Sequence, residues 1–110
     1  MSNIKYSIIC CYYNEINVLK KKFIPFIDKV KNFPFTYEIF FCDNNSQDGS
    51  REFLQEMENK KIPHLNFIYN DKNLGKGGSI KKWINISNGE FITIFDIDEY
   101  LVDDLIKADN

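Results

Sequence analysis

The sequence predicts an α/β fold, a parallel, Rossmann-like sheet of about four strands with flanking helices. Three observations predict it. Short apolar runs alternate along the chain with segments of helical period. No repeat or low-complexity linker interrupts that alternation. Each apolar run is followed by a polar cluster rich in Asn, Asp or Gly. Strand–helix alternation calls for right-handed crossovers, which place the strands parallel. With 110 residues, 44% of them hydrophobic, residues 1–110 form one domain with a modest core.

Ile4 to Tyr12 reads as a buried strand. Asn14 to Val30 carries Ile16, Leu19, Phe23, Ile27 and Val30 at spacings of three or four, a helix stripe that Pro25 should kink or split. Tyr37 to Cys42 is the second strand. Asp48-Gly49-Ser50 opens a helix with Phe53, Leu54 and Met57 on one side, and Leu65 to Tyr69 is a short third strand. Asn70 to Gly78 reads as a polar, Gly-rich loop before a helix bearing Ile80, Trp83 and Ile84. Asn88-Gly89 should stop that helix, with Gly89 in the left-handed cap conformation. Phe91 to Phe95 is the fourth strand, expected to be buried on both faces, and Val102, Leu105 and Ile106 begin a further helix or turn.

The bulk numbers exclude several classes. A net charge of −2 gives no footprint for nucleic acid or a membrane surface. Arg51 is the only Arg, and Lys20, Lys21 and Lys22 read as a solvated helix face. No stretch approaches the roughly 20 apolar residues of a membrane-spanning helix, and the N-terminus lacks a signal-peptide core. Cys10, Cys11 and Cys42 are odd in number, and adjacent residues of a strand point to opposite faces. Reduced, structural thiols in a cytoplasmic protein are expected.

In parallel sheets, ligands bind outside the carboxyl ends of the strands, and four polar clusters fall there. They are Tyr12-Tyr13-Asn14-Glu15, Asp43 through Gly49, Asn70 through Gly78, and Asp96-Ile97-Asp98-Glu99. In an extended chain Asp96 and Asp98 project to one side, where two carboxylates need a cation or a raised pKa to coexist. Hard oxygen ligands suit Mg2+ or Mn2+ bridged to phosphate, while helix capping is the competing explanation. The Gly75-Lys76-Gly77-Gly78 segment fits neither phosphate-loop nor dinucleotide spacing, yet it lets backbone approach a ligand beside a lysine. Asp43 can accept an imino N–H of a base or bond a turn's backbone. Tyr13 offers a stacking wall or is an ordinary half-buried tyrosine.

The stretch Ser7-Ile8-Ile9-Cys10-Cys11-Tyr12-Tyr13-Asn14-Glu15 resembles the opening strand and Tyr-Asn-Glu turn of family 2 glycosyltransferases of the GT-A fold. Asp43-Asn44-Asn45-Ser46-Gln47-Asp48-Gly49-Ser50 resembles that family's Asp-Asp-Gly-Ser-x-Asp-Gly-Thr loop. Asn73-Leu74-Gly75-Lys76-Gly77 is similar to its Asn-x-Gly-Lys-Gly segment, and Gly89-Glu90-Phe91 through Asp96-Ile97-Asp98 to its strand leading into Asp-x-Asp. The resemblance implies the nucleotide-sugar-binding half of such an enzyme. Asp43 would contact the base with Tyr13 and Glu15 nearby, and Lys76 would sit close to the nucleotide. Asp96 would approach the ribose or a metal-bound water. Asp98 would ligate a divalent ion, Mg2+ or Mn2+, bridging the diphosphate of a nucleotide-diphosphate sugar.

Cys11 stands where the family usually has Pro, Asn44 replaces an Asp, and Asn45 replaces Gly. The family's acceptor-binding segments and general base follow the Asp-x-Asp, so both are expected beyond Asn110, and this chain alone is expected to be inactive. The acceptor is unknown. A non-catalytic nucleotide-binding or interaction module is the alternative. A nucleotidyltransferase is a second one, but it would show a Gly-rich basic motif after the first strand. The outer edge of the fourth strand is expected to be bare and to promote self-association.

Overall fold

The computed structural model describes residues 3–94. Seven elements alternate: β1 (Tyr6–Tyr12), α1 (Ile16–Val30), β2 (Tyr37–Asp43), α2 (Ser50–Asn59), β3 (Leu65–Tyr69), α3 (Gly75–Ile84) and β4 (Phe91–Ile94). The strands form one sheet in the order β3-β2-β1-β4, every neighbouring pair parallel. Moving from β1 to β2 to β3 runs one way across the sheet, and β4 returns to the far side of β1. Right-handed crossovers then put α1 and α2 on one face and α3 on the other. The chain reverses direction between β1 and β4, the place where such sheets open a crevice.

The main core lies under α1 and α2. Alternation along β1 and β2 sends Tyr6, Ile8, Cys10, Tyr12, Ile39 and Phe41 to that face. They meet Leu19, Phe23, Phe26, Ile27 and Val30 of α1 and Leu54 and Met57 of α2. Phe41 sits at the centre, with ring centroids 5.0 Å from Phe23 and 5.5 Å from Phe67. Ser7, Ile9, Glu38 and Phe40 of the same strands alternate with these and are also buried, on the α3 side. Lys20, Lys21 and Lys22 face solvent as expected.

Four expectations need correction. Pro25 does not split α1, which runs unbroken from Ile16 to Val30. Pro25 is exposed, so the carbonyl it leaves without a partner can bond water, and buried side chains on both sides of it hold the helix to the sheet. The Gly-rich segment is not all loop, because α3 starts at Gly75 and takes Gly75, Lys76, Gly77 and Gly78 into its first turns. Gly89 is no left-handed cap. Helix α3 ends at Ile84 with Asn85 in the right-handed region, and only Gly49 and Gly75 among the described glycines have positive φ. Gly89 is instead required for space, since a Cβ there would lie 2.5 Å from the Ser7 backbone nitrogen.

The fourth correction concerns β4. Among the described residues it pairs with β1 alone and is an edge strand, leaving Phe91 48%, Ile92 40% and Ile94 39% exposed rather than buried on both faces. Phe95 and the expected helix or turn from Val102 lie outside the described residues. No described helix is long and apolar enough to cross a membrane.

Candidate functional site

The loops at the carboxyl ends of the strands are bound to one another by side chains. After β1, Asn14 takes a left-handed φ of 52°. Its backbone N–H donates to Ser46 Oγ (2.9 Å), and its Oδ1 accepts from the Gln47 N–H (2.8 Å). Glu15 N–H donates to Ser50 Oγ (3.0 Å), and Ile16 N–H donates to Asp48 Oδ2 (3.1 Å). The start of α1 is therefore capped by the loop after β2 instead of by its own preceding residue. Asp48 Oδ1 also accepts from the Ser50 N–H and hydroxyl, at 3.0 and 2.7 Å. Slight burial raises the Asp48 pKa, but these donors outweigh it and hold the carboxyl below its ordinary value. Asn45, standing where the resembling family has Gly, takes φ 66°, a conformation Asn tolerates better than most residues.

A second set of bonds joins the loops after β2 and β3. Asn44 Oδ1 accepts from Leu74 N–H (2.9 Å), Asn70 Nδ2 (3.1 Å) and Ser79 Oγ (3.2 Å). Asn44 Nδ2 donates to Asn73 Oδ1 (2.7 Å), which also accepts from Gly75 N–H (2.8 Å). These bonds give Leu74 and Gly75 the acceptors that α3 cannot supply at its own start, which is why the helix begins inside the glycine segment. Asn44 is thus a buried hub, and the amide its position uses for Asn73 is one an Asp would lack.

Asp43 is fully buried. Its Oδ2 accepts from the Ser46 N–H at 2.9 Å and lies 3.9 Å from Arg51 Nη1. Its Oδ1 is buried with no hydrogen-bond partner among the described residues. Arg51 is held in turn by the Asn70 carbonyl (3.1 Å) and by the Tyr69 ring, 5.1 Å away. The Tyr69 hydroxyl donates to Glu58 (2.9 Å), and burial followed by that carboxylate raises its pKa well above the ordinary value.

A cleft of about 350 Å3 opens at this edge of the sheet. Cys11, Tyr12, Tyr13 and Glu15 line it from β1 and its loop, and Asn44, Asn73 and Gly75 from the other two. Of the residues expected from the sequence, Tyr13 and Glu15 are in the lining, and Tyr13 is exposed. Asp43 is buried outside the lining. Lys76 is the second residue of α3, and its side chain is outside what the structure describes. Asp96, Asp98 and Glu99 also lie outside the described residues. Among the described residues no group of three or more His, Cys, Asp or Glu is placed to hold a metal ion. Sequence reasoning overlooked Asn44, Asn70, Asn73 and Ser79 as a connected set. The signal available was the run of amides bracketing the second and third loops.

The sequence pattern that defines glycosyl transferase family 2 matches residues 7–108, nearly the whole chain. The chain belongs to that family. A glycosyltransferase of Methanocaldococcus jannaschii is 34% identical to this family 2 chain over 95 residues, covering 84% of this chain and 31% of that protein. A mannosyltransferase from Pyrobaculum calidifontis, solved in complex with GDP-Man and Mn2+, superposes with a TM-score of 0.70 at 20% identity. That match covers 89% of this chain and 28% of the other. Residues 1–349 of S. aureus TarS in complex with UDP-GlcNAc give a TM-score of 0.67 at 20% identity, covering 94% of this chain and 30% of that fragment. The family 2 chain thus spans about a third of the length of the relative and of the two solved chains it matches. The two structures share its fold: the parallel sheet with flanking helices is that of GT-A glycosyltransferases.

Proposed function

We propose that this chain is the nucleotide-sugar-binding half of a metal-dependent family 2 glycosyltransferase. The observation that carries the reading is the adjacency of β1 and β4. They run parallel side by side, so the Tyr13–Glu15 loop and the Asp96-Ile97-Asp98 triplet follow neighbouring strand ends. The unpartnered Asp43 Oδ1 supports it, because a buried carboxylate oxygen without a donor suits an incoming N–H. In this reading Asp43 accepts the imino N–H of the base, Tyr13 stacks on it, and Glu15 and Lys76 flank the nucleotide. Asp98 holds Mg2+ or Mn2+ against the diphosphate, with Asp96 at the ribose or at a metal-bound water. When bound, such an ion stabilises negative charge on the departing nucleoside diphosphate. The general base and acceptor are assigned to no residue of this chain, and the cytoplasm is its proposed compartment.

Calorimetric titration of UDP and GDP, with Mn2+, with EDTA and with Asp98→Ala, tests the reading. Binding of one nucleotide is expected, lost on chelation and in the variant. A folded protein that binds neither nucleotide would favour a non-catalytic module instead. The exposed edge of β4 is the surface proposed for self-association. Light scattering should show mass rising across micromolar concentrations, and a constant monomer mass would remove that proposal.

A further inference from the structure

Cys11 and Cys42 are register partners on the adjacent parallel strands β1 and β2. Cys10 belongs to the core under α1 and α2, so alternation turns its neighbour Cys11 to the α3 face. Cys42 alternates with Phe41 in the same way, and Asn70 Nδ2 approaches its Sγ at 3.4 Å from that side. Register partners on neighbouring strands stand about 4.8 Å apart at Cα. That falls within the roughly 4.4–6.8 Å that a disulfide spans. None of the three cysteines is in a disulfide here.

The two thiols differ in ways that suit different roles. Cys11 is half-buried and lines the cleft, so a small solute can reach it. Cys42 is fully buried among donors. The Cys11 thiol donates to it, outweighing the opposing effect of burial, and Ser79 and the Trp83 indole lower its pKa further. A thiol held toward the thiolate is the better attacking sulfur.

We propose that Cys11 and Cys42 form an oxidisable dithiol in the wall of the cleft, a modification site for peroxide-class oxidants. The Cys11 sulfur attacks a hydroperoxide and its O–O bond breaks. One oxygen stays as the Cys11 sulfenic acid, and the other leaves as alcohol or water with the thiol proton. The Cys42 sulfur then attacks the Cys11 sulfur, forming the S–S bond, and the sulfenic hydroxyl departs with the Cys42 proton as water. Two thiols and one peroxide thus give one disulfide, one alcohol or water, and one further water. The step is independent of what the cleft binds.

The test is hydrogen peroxide treatment of the folded chain, alkylation of the remaining thiols, digestion and mass spectrometry. Cys10→Ser in parallel separates the adjacent cysteines, and the same oxidation in guanidinium serves as the unfolded control. The expected result is loss of two of the three alkylatable thiols and a Cys11–Cys42 linked peptide pair. Pairings in guanidinium should include Cys10 as well. Cys42→Ser should leave Cys11 labelled by dimedone. Absence of the Cys11–Cys42 bond from the folded wild type, or the same mixture of pairings folded and unfolded, would overturn the proposal whether or not the variant folds.

Discussion

Gly89→Ala should cost the fold about 3 kcal/mol, at the upper end of what overpacking a tight site does. The added methyl would lie 2.5 Å from both the backbone nitrogen and Oγ of Ser7, and 2.8 Å from the Tyr6 carbonyl carbon. These atoms belong to a strand hydrogen-bonded on both sides, to β2 and to β4, so they cannot retreat. The segment before β4 would have to move instead, breaking the 2.7 Å bond from Gly89 N–H to Ser7 Oγ. The control is Gly77→Ala, inside α3 with nothing within 4 Å of the new Cβ. It should gain about 0.5–1 kcal/mol, the usual advantage of Ala over Gly in a helix. Urea unfolding of the two variants decides. Equal stabilities would mean that β4 does not approach β1 as closely as described.

Glu38→Ala should be about as damaging, near 3 kcal/mol, because it removes the acceptor of three donors at once, among them the fully buried Ser7 hydroxyl. Glu38 is 6% exposed on β2. Its Oε2 accepts from the Ser7 hydroxyl and from the Asn88 N–H, both at 2.6 Å, and its Oε1 from Asn88 Nδ2 at 3.3 Å. One carboxylate thus joins β2, β1 and the segment that leads into β4. Glu38→Gln keeps an acceptor for the two short bonds and loses charge assistance, so about 1 kcal/mol is expected. A Gln variant as unstable as the Ala variant would show that charge, and not the pattern of acceptors, holds the junction. Since Asp96 and Asp98 follow β4 in sequence, both Glu38 variants should also weaken the metal-dependent nucleotide binding proposed above, although Glu38 is at the opposite edge of the sheet.

The order of elements was legible because each strand and helix carries its own period. Leu65–Tyr69 was placed to the residue, and the stripe Leu19, Phe23, Ile27 and Val30 is the buried face of α1. What local pattern could not reveal was set by neighbours distant in sequence. Gly89 announced itself as special, but a glycine looks the same whether it serves φ or close approach, and only Ser7 distinguishes the two. Helix α3 starts early because Asn44, 30 residues before Leu74, supplies an acceptor. The apolar run of β4 looked like a central strand, whereas its burial depends on its place in the sheet order. In the site, Tyr13 and Glu15 were legible as the end of β1. The division of labour at Asp43, one oxygen on a turn and one without a partner, was not.

The cross-loop cap on α1 has an electrostatic consequence. In many doubly wound sheets the helix after the first strand offers its open amino end to a phosphate. Here the Glu15 and Ile16 N–H groups are already taken by Ser50 and Asp48, and the second of these brings a carboxylate to that end. An anion approaching α1 would meet like charge where the fold ordinarily provides attraction. In the proposed reading, a diphosphate in the neighbouring cleft would find its countercharge away from the start of α1, a part that falls there to the divalent ion and to Lys76.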